Sequence, residues 1–276
     1  MPFVFVLGIA QDGGHPQPGC TRSCCNELPA GSHSPASLAI IDPVTSKRWI
    51  IDATPAFPEQ LQRLDAQAKG TLDGIFLTHA HMGHYTGLMY LGREVMGAAQ
   101  LPLFVQPRMA TFLATNGPWK QLVDIGNVRL DVGTKWTLSE RLTVEAIPVP
   151  HRDEYSETVA FVVRGPSRSV LWLPDIDRWE GWNPTLEQAI AQVDAAWIDG
   201  TFWADGELSR DMAEVPHPRI RETVERLRRL PASERNKVRF VHLNHTNPAY
   251  RPASAEAVAV REAGMAVANE GERFDL

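Results

Sequence analysis

Short apolar, β-branched runs separated by turn residues constrain this chain more than any other feature. They include "FVFVLGI" (3–9), "SLAIID" (37–42), "RWIID" (48–52), "GIFLT" (74–78) and "LPLFV" (101–105). "LTVEAIPV" (142–149), "TVAFVVR" (158–164), "SVLWLP" (169–174), "AAWID" (195–199) and "VRFVHL" (238–243) follow. Runs of this length, bounded by Gly, Pro and Asp, read as strands. Helical spacing appears between some of them. "PEQLQRLDAQAKG" sets Leu61, Leu64 and Ala68 on one face and stops at Gly70. "HYTGLMYLGREVMG", "PRMATFLATN", "NPTLEQAIAQ", "HPRIRETVERLRRL" and "PASAEAVAVREAG" behave alike. Many strands with fewer, spread-out helices predict an α/β or α+β fold, two packed sheets with helices outside. The 276 residues are 43% hydrophobic, enough for a large core. No Ser/Gly-rich linker, charge block or fixed repeat divides them, so one domain over residues 1–276 is expected.

Several function classes are disfavoured. The formal net charge is −6 and no basic stripe appears, so no nucleic-acid partner is expected. The densest basic run, "RIRETVERLRR" (219–229), places Ile220, Val224 and Leu227 on one helical face and reads as a solvated surface. No apolar run reaches the ~18 residues of a membrane span. The N-terminal "MPFVFVLGIA" lacks a basic leader and a small-residue cleavage site, and reads as a first strand. The three cysteines crowd into "CTRSCC" as Cys20, Cys24 and Cys25, too close together to staple distant segments. Reduced thiols and a cytoplasmic location are therefore expected. No heptads mark an interface, and a homodimer through sandwich faces would leave no signature.

The chemistry-bearing residues stand at strand ends. "THAHMGH" (78–84) holds His79, His81 and His84 after one strand run; His151, Asp175 and His245 follow three others. Imidazole and carboxylate are the ligands of zinc and similar divalent ions. Residues i and i+2 of an extended segment point the same way, so His79 and His81 can grip one ion. His84, past Gly83 where the chain turns, aims at a second ion nearby. A carboxylate from elsewhere can bridge two such ions, and the pair can ionise a water. A single histidine after a strand is ordinarily a satisfied loop residue, and His242 and His33 are read that way.

"THAHMGH" resembles the T-H-x-H-x-D-H signature of the metallo-β-lactamase-fold hydrolases. "IIDATP" with Asp52, "VPH" with His151, "LPDID" with Asp175 and "HLNHTNP" with His245 resemble the family's remaining motifs, in order. "VPHPRI" resembles a loop that brings a further histidine, here His217, to the site in the ribonuclease-Z-like and phosphodiesterase branches. "GIAQDGGHPQPGC", "DGTFW" and "FVHLNHTNPA" resemble the pyrroloquinoline-quinone biosynthesis protein B group. The resemblance implies a four-layer αββα sandwich with metals on one edge of the sheets. It implies a full first metal position at His79, His81, His151 and Asp175, with Asp175 rather than Asp177 as the bridge. The second position keeps His84, His245 and Asp175. It lacks the signature aspartate, which is Gly83 here, so it is expected to be weak and Gly83→Asp to tighten it. The related groups carry a structural zinc on an N-terminal cysteine cluster, which implies one on Cys20, Cys24 and Cys25. The fourth ligand would be a histidine such as His15 or His33, or one near only in space.

The implied activity is hydrolysis of a small-molecule ester, lactone or phosphodiester by a metal-bound hydroxide. Asp175 would hold the metals, and His217 would serve as acid for the leaving group. Zinc is the expected ion, one or two at the active site, with iron or manganese as alternatives. A single iron would instead suit an oxidoreductase related to the quinone-biosynthesis group. A protein that binds metal or ligand without catalysis is the third reading.

Overall fold

The computed structural model describes residues 1–29 and 31–276. Two seven-stranded mixed sheets form its centre. The first contains β1 (Phe3–Gly8), β2 (Ser37–Asp42), β3 (Lys47–Ile51), β4 (Thr71–Phe76), β5 (Leu101–Val105), β6 (Val128–Val132) and the C-terminal β14 (Arg273–Asp275). The second contains β7 (Lys135–Ser139), β8 (Leu142–Pro148), β9 (Val159–Arg164), β10 (Ser169–Leu173), β11 (Ala195–Asp199), β12 (Val238–Val241) and β13 (Ala266–Val267). Spatial order is β14-β1-β2-β3-β4-β5-β6 in one and β13-β12-β11-β10-β9-β8-β7 in the other.

The helices are α1 (Ser23–Asn26), α2 (Phe57–Gln67), α3 (Met82–Tyr85), α4 (Pro107–Thr115), α5 (Trp119–Asp124), α6 (Leu186–Ala191), α7 (Ile220–Leu227), α8 (Ala232–Arg235) and α9 (Ala255–Glu262). The expected strands and most expected helices are present. "HYTGLMYLGREVMG" is the exception, reduced to α3 and a 3-10 segment over Thr86–Leu91. Glycine is a poor helix former, and Gly83, Gly87 and Gly92 interrupt this stretch. A Cβ on Gly87 would stand 2.3 Å from the Thr54 carbonyl oxygen, so this turn packs against the chain as only glycine allows. β6, β7, β13 and β14 were not legible as strand runs; they are short, partly exposed or rich in charge.

Successive residues of a strand face opposite sides, and the burial follows that rule. Val4, Val6, Leu38, Ile40, Ile51 and Phe76 meet Val144, Phe161, Val163, Trp172 and Trp197 between the sheets. The outer face of the first sheet (Phe3, Phe5, Leu7, Ile50, Ile75) packs on Phe57, Leu64, Met109 and Leu113 of α2 and α4. The outer face of the second (Val162, Leu171, Ile198, Phe240) packs on Leu186, Ile190, Val224 and Val260 of α6, α7 and α9. These cores make four layers, αββα. Strands buried on both faces read as unbroken apolar runs, which is why they stood out in the sequence.

Strand direction gathers the functional residues. β3, β4 and β5 run parallel, and β1 reaches β3 through two antiparallel pairings, so β1 shares their direction. β10, β11 and β12 run parallel, and β8 shares their direction through β9. The C-terminal ends of these strands lead into Asp12, Asp52, His79, His151, Asp175, Asp199 and His242.

Candidate metal centre

The site is built by aiming imidazoles. Asp52, with φ 68° just after β3, accepts hydrogen bonds from the Thr78 backbone N–H (2.8 Å) and from Thr78 Oγ1 (2.8 Å to Oδ2). Thr78 Oγ1 in turn accepts from His79 Nδ1 (3.0 Å), while His84 Nδ1 donates to Asp52 Oδ2 (2.8 Å). His151 Nδ1 donates to Asp177 Oδ1 (2.7 Å) and His217 Nδ1 to Asp199 Oδ2 (2.7 Å). His242 Nδ1 donates to Thr201 Oγ1 (3.0 Å), itself a donor to Asp199 Oδ1 (2.8 Å). His81 is turned over: its Nε2 faces Glu154 Oε2 at 3.1 Å, freeing Nδ1. With tautomers assigned from these partners, each ring presents one lone pair to the centre. Outer partners of this kind orient metal-binding histidines.

The inward atoms suit cations. Nε2 of His79, His84, His217 and His242, together with Asp175 Oδ1 and Asp12 Oδ1, are buried without a hydrogen-bond partner. Buried polar atoms are ordinarily paired, so such a cluster of orphans could hold a cation. His81 Nδ1 and His151 Nε2 face each other at 3.1 Å. Two lone pairs at that distance repel unless a proton or a metal sits between them.

Two sets of atoms share Asp175 Oδ2. It lies 3.4 Å from His79 Nε2 and 3.3 Å from His151 Nε2, and His81 Nδ1 completes that set. On its other side it lies 3.8 Å from His84 Nε2 and 3.9 Å from His242 Nε2. Asp12 Oδ1 approaches the same two rings, at 3.4 Å from His84 and 3.9 Å from His242. A tetrahedral zinc with ~2.0–2.1 Å bonds to nitrogen holds its ligand atoms ~3.3–3.4 Å apart. The first set matches that spacing; the second is slightly wider. Asp199, His217 and His242 form a third grouping with Asp175, and His217 Nδ1 is 3.4 Å from Asp175 Oδ1.

The electrostatics follow from this crowding. Burial pushes the Asp175 carboxyl up, but His151, His217 and His242 outweigh it and hold the group well below the ordinary carboxylate range. Burial drives His79 well below its ordinary value, with His84 adding to the effect. Burial also opposes the charge on His151, yet Asp175 and Asp177 prevail and raise it to about 10. Without a metal, His151 therefore holds a second proton more readily than an ordinary imidazole.

Not every expected residue arrives here. His79, His81, His84, His151, Asp175 and His217 come together, but His245 does not: it stands with Cys20, Cys24 and Cys25. His242, read from the sequence as a plain loop residue, takes the place expected for it. The reason lies in the turn after β12. His242 leaves the strand at φ 64°, and Asn244 N–H bonds to the Thr201 carbonyl (2.9 Å), carrying the chain onward before His245. Its position directly at the strand end was the signal that could have found it. Asp12 was also missed; "QDGG" after the first strand run offered the same signal.

The expected gain from Gly83→Asp is corrected too. A Cβ at Gly83 would lie 2.0 Å from Asp12 Oδ1 and 2.6 Å from Asp12 Cα, so there is no room for that side chain.

The cysteine cluster is a separate group. Cys20 Sγ and Cys25 Sγ each lie 4.0 Å from Cys24 Sγ, all three thiols are free, and His245 Nδ1 is buried without a partner. Zinc–sulfur bonds of ~2.3 Å set tetrahedral sulfurs ~3.8 Å apart. Neither sequence-near histidine joins: His15 Nε2 is 2.7 Å from the Cys24 carbonyl oxygen, and the His15 and His33 rings lie against Tyr250.

Comparison with known proteins agrees with this architecture. The coenzyme PQQ synthesis protein B of Methylobacillus flagellatus is 25% identical over 307 aligned positions, covering 97% of this chain and 98% of that protein. The Methylococcus capsulatus protein of the same name is 27% identical, covering 96% and 97%. Zn(2+)-bound PqqB from Methylobacterium extorquens superposes with a TM-score of 0.80 at 22% identity, covering 99% and 100% of the two chains. A diphosphatase of the PhnP family superposes with 0.69 at 20% identity, covering 99% and 96%. No helix among the described residues is long and apolar enough to cross a membrane. The family model described as the beta-lactamase superfamily domain matches residues 40–243, which contain the histidine-rich loop, His151, Asp175, His217 and His242, and the chain belongs to that superfamily.

Proposed function

We propose that the protein is a metal-dependent hydrolase with two ions at its active centre, zinc being the best match. The observation that carries this reading is Asp175 Oδ2, which faces two sets of histidine nitrogens at once, with His79, His84 and His242 Nε2 unpartnered among them. His79, His81, His151 and Asp175 would hold the first ion; His84, His242 and Asp175 would hold the second. Such ions supply an ionised water and positive charge against a developing oxyanion. Zinc favours this nitrogen-rich, near-tetrahedral set.

The surrounding residues orient and position. Asp52, Thr78, Asp177 and Thr201 hold the imidazoles in one tautomer each. Burial opposes a charge on His217, but Asp199 and Asp175 prevail and raise it, so the ring would carry a second proton, on Nε2, to give to a leaving group. A cavity of about 430 Å³ adjoins the centre through Asp12 and is lined also by Gln11, Gln17, Phe202, Asn244 and Arg210. Arg210 has no carboxylate partner among the described residues, which suits an anionic small-molecule substrate. A phosphodiester therefore ranks ahead of a neutral ester or lactone. A third zinc on Cys20, Cys24, Cys25 and His245 would be structural.

A second reading is an iron-dependent oxidoreductase with a part in quinone-cofactor synthesis, the process for which the near full-length relatives are named. Elemental analysis of the purified protein separates the two. Zinc, together with hydrolysis of a phosphodiester that disappears in His81→Ala, is the expected result. Iron lost on that substitution, with no hydrolysis of esters, lactones or phosphodiesters, would replace the hydrolase reading by the oxidative one.

A further inference from the structure

We infer that Asp12, from the loop after β1, is the carboxylate ligand of the second ion, occupying the space that the signature side chain at position 83 would fill. The inference rests on the two-ion reading above and changes its second half from an impaired position to a complete one.

Three observations converge. Asp12 Oδ1 lies within 3.4 Å of His84 Nε2 and 3.9 Å of His242 Nε2, on the side of both rings that also faces Asp175. All three atoms are buried and lack hydrogen-bond partners, and both histidines are about 1% exposed. A methyl group at position 83 would meet the Asp12 carboxylate, backbone and Cβ at 2.0, 2.6 and 2.7 Å. An Asp12 carboxylate and a residue-83 side chain thus exclude each other, and the glycine makes the aspartate's approach feasible.

The loop is also fixed where it needs to be. Gln11 N–H donates to the Leu243 carbonyl (2.8 Å), Leu243 N–H to the Ile9 carbonyl (2.9 Å), and Asn244 Nδ2 to Gln11 Oε1 (2.6 Å). These bonds tie the segment carrying Asp12 to the one carrying His242. Gly14, at φ 72°, then turns the chain back, with its N–H on the Gln11 carbonyl (2.8 Å). Asp12 and His242 are therefore held as one unit, and a carboxylate delivered by the N-terminal loop does the work that the α3 turn does elsewhere in the superfamily.

The test is zinc titration of the metal-stripped full-length protein by calorimetry, with stoichiometry checked by elemental analysis. Asp12→Asn keeps the shape and removes the charge; Asp12→Ala removes the ligand. Both should lose one zinc, or bind it more than ~100-fold more weakly, beyond the ~10–100-fold typical of outer-shell losses. The other ions should be retained. Gly83→Ala removes no ligand atom and should weaken the same ion by displacing Asp12. Circular dichroism of the metal-free variants checks folding, and the isosteric Asp12→Asn serves if Asp12→Ala does not fold. Wild-type zinc stoichiometry with affinities within ~3-fold in both Asp12 variants would overturn the inference and leave the two-ion reading intact. A wild-type protein that takes up zinc only at the cysteines would overturn both.

Discussion

The position around His79, His81 and His151 and the position around His84 and His242 share Asp175 Oδ2 but are assembled differently. The first is tight, with neighbouring ligand atoms 3.1 to 3.4 Å apart; the second spans 3.4 to 3.9 Å. The first leans on buried Thr78 and half-buried Asp177, and its His81 is held from the surface by exposed Glu154. The second is reached through Asp12, whose side chain is 47% exposed, and borders the open cavity. A set already at the spacing of a bound ion should hold it strongly and release it slowly. A wider set on the cavity wall is better suited to exchange and to meeting substrate. The contrast divides the labour expected of the two ions.

The strongest way to break that contrast is to remove what the two positions share. Asp175→Ala is expected to release both ions and lower kcat/KM by ~10³-fold or more. Retention of either ion, measured by elemental analysis, would show that Asp175 is not the bridge.

Next in size is His81→Ala, which should strip the first ion and leave the second and the cysteine-bound ion. Zinc content should fall by one equivalent.

His245→Ala and Cys25→Ser should each remove a different zinc, the one at the cysteines. Thermal stability should drop while the two active-site ions remain. Loss of an active-site ion in His245→Ala would return that residue to the position expected from the sequence.

A smaller effect tests the orienting partners. Asp177→Asn should weaken the first ion by ~10–100-fold in zinc titration, without changing stoichiometry at saturation.

The smallest concerns protons. In the metal-free protein His151 is raised to about 10 from an ordinary 6.5, with burial opposing and Asp175 and Asp177 prevailing. At pH 8 the first ion must expel this proton, so its binding enthalpy should vary with buffer ionisation heat, and its apparent affinity should rise with pH up to about 10. The linkage has a definite sign. A raised histidine contributes stability fully present below pH 6.5 and lost as pH rises through about 10, so metal-free protein should weaken over that window. A buffer-independent enthalpy would place the proton elsewhere.

Much of this molecule was decided locally. Strands such as Val159–Arg164 and Ala195–Asp199 are buried on both faces and spell themselves as apolar runs. The "THAHMGH" loop carries its ligands within a few residues, so i, i+2 geometry and a glycine turn suffice to aim them. Two packed sheets with outer helices and the His79–His81 pair were legible for those reasons; the αββα layering and the joining of His84, His151 and Asp175 to that pair came from the resemblance to the metallo-β-lactamase-fold hydrolases. Strand-end position made His242 and Asp12 candidates, but it could not decide which of two histidines in "HLNHTNP" turns inward, or whether a carboxylate replaces the one absent at Gly83. Both depend on segments more than two hundred residues apart, Gln11–Gly14 and Leu243–His245, whose backbone hydrogen bonds form only when β1 and β12 sit on facing sheets. Spacing along the chain carries no information about a pairing made across the sandwich, so only the tertiary structure could send His242 to the metal centre, His245 to the cysteines, and Asp12 to the space above Gly83.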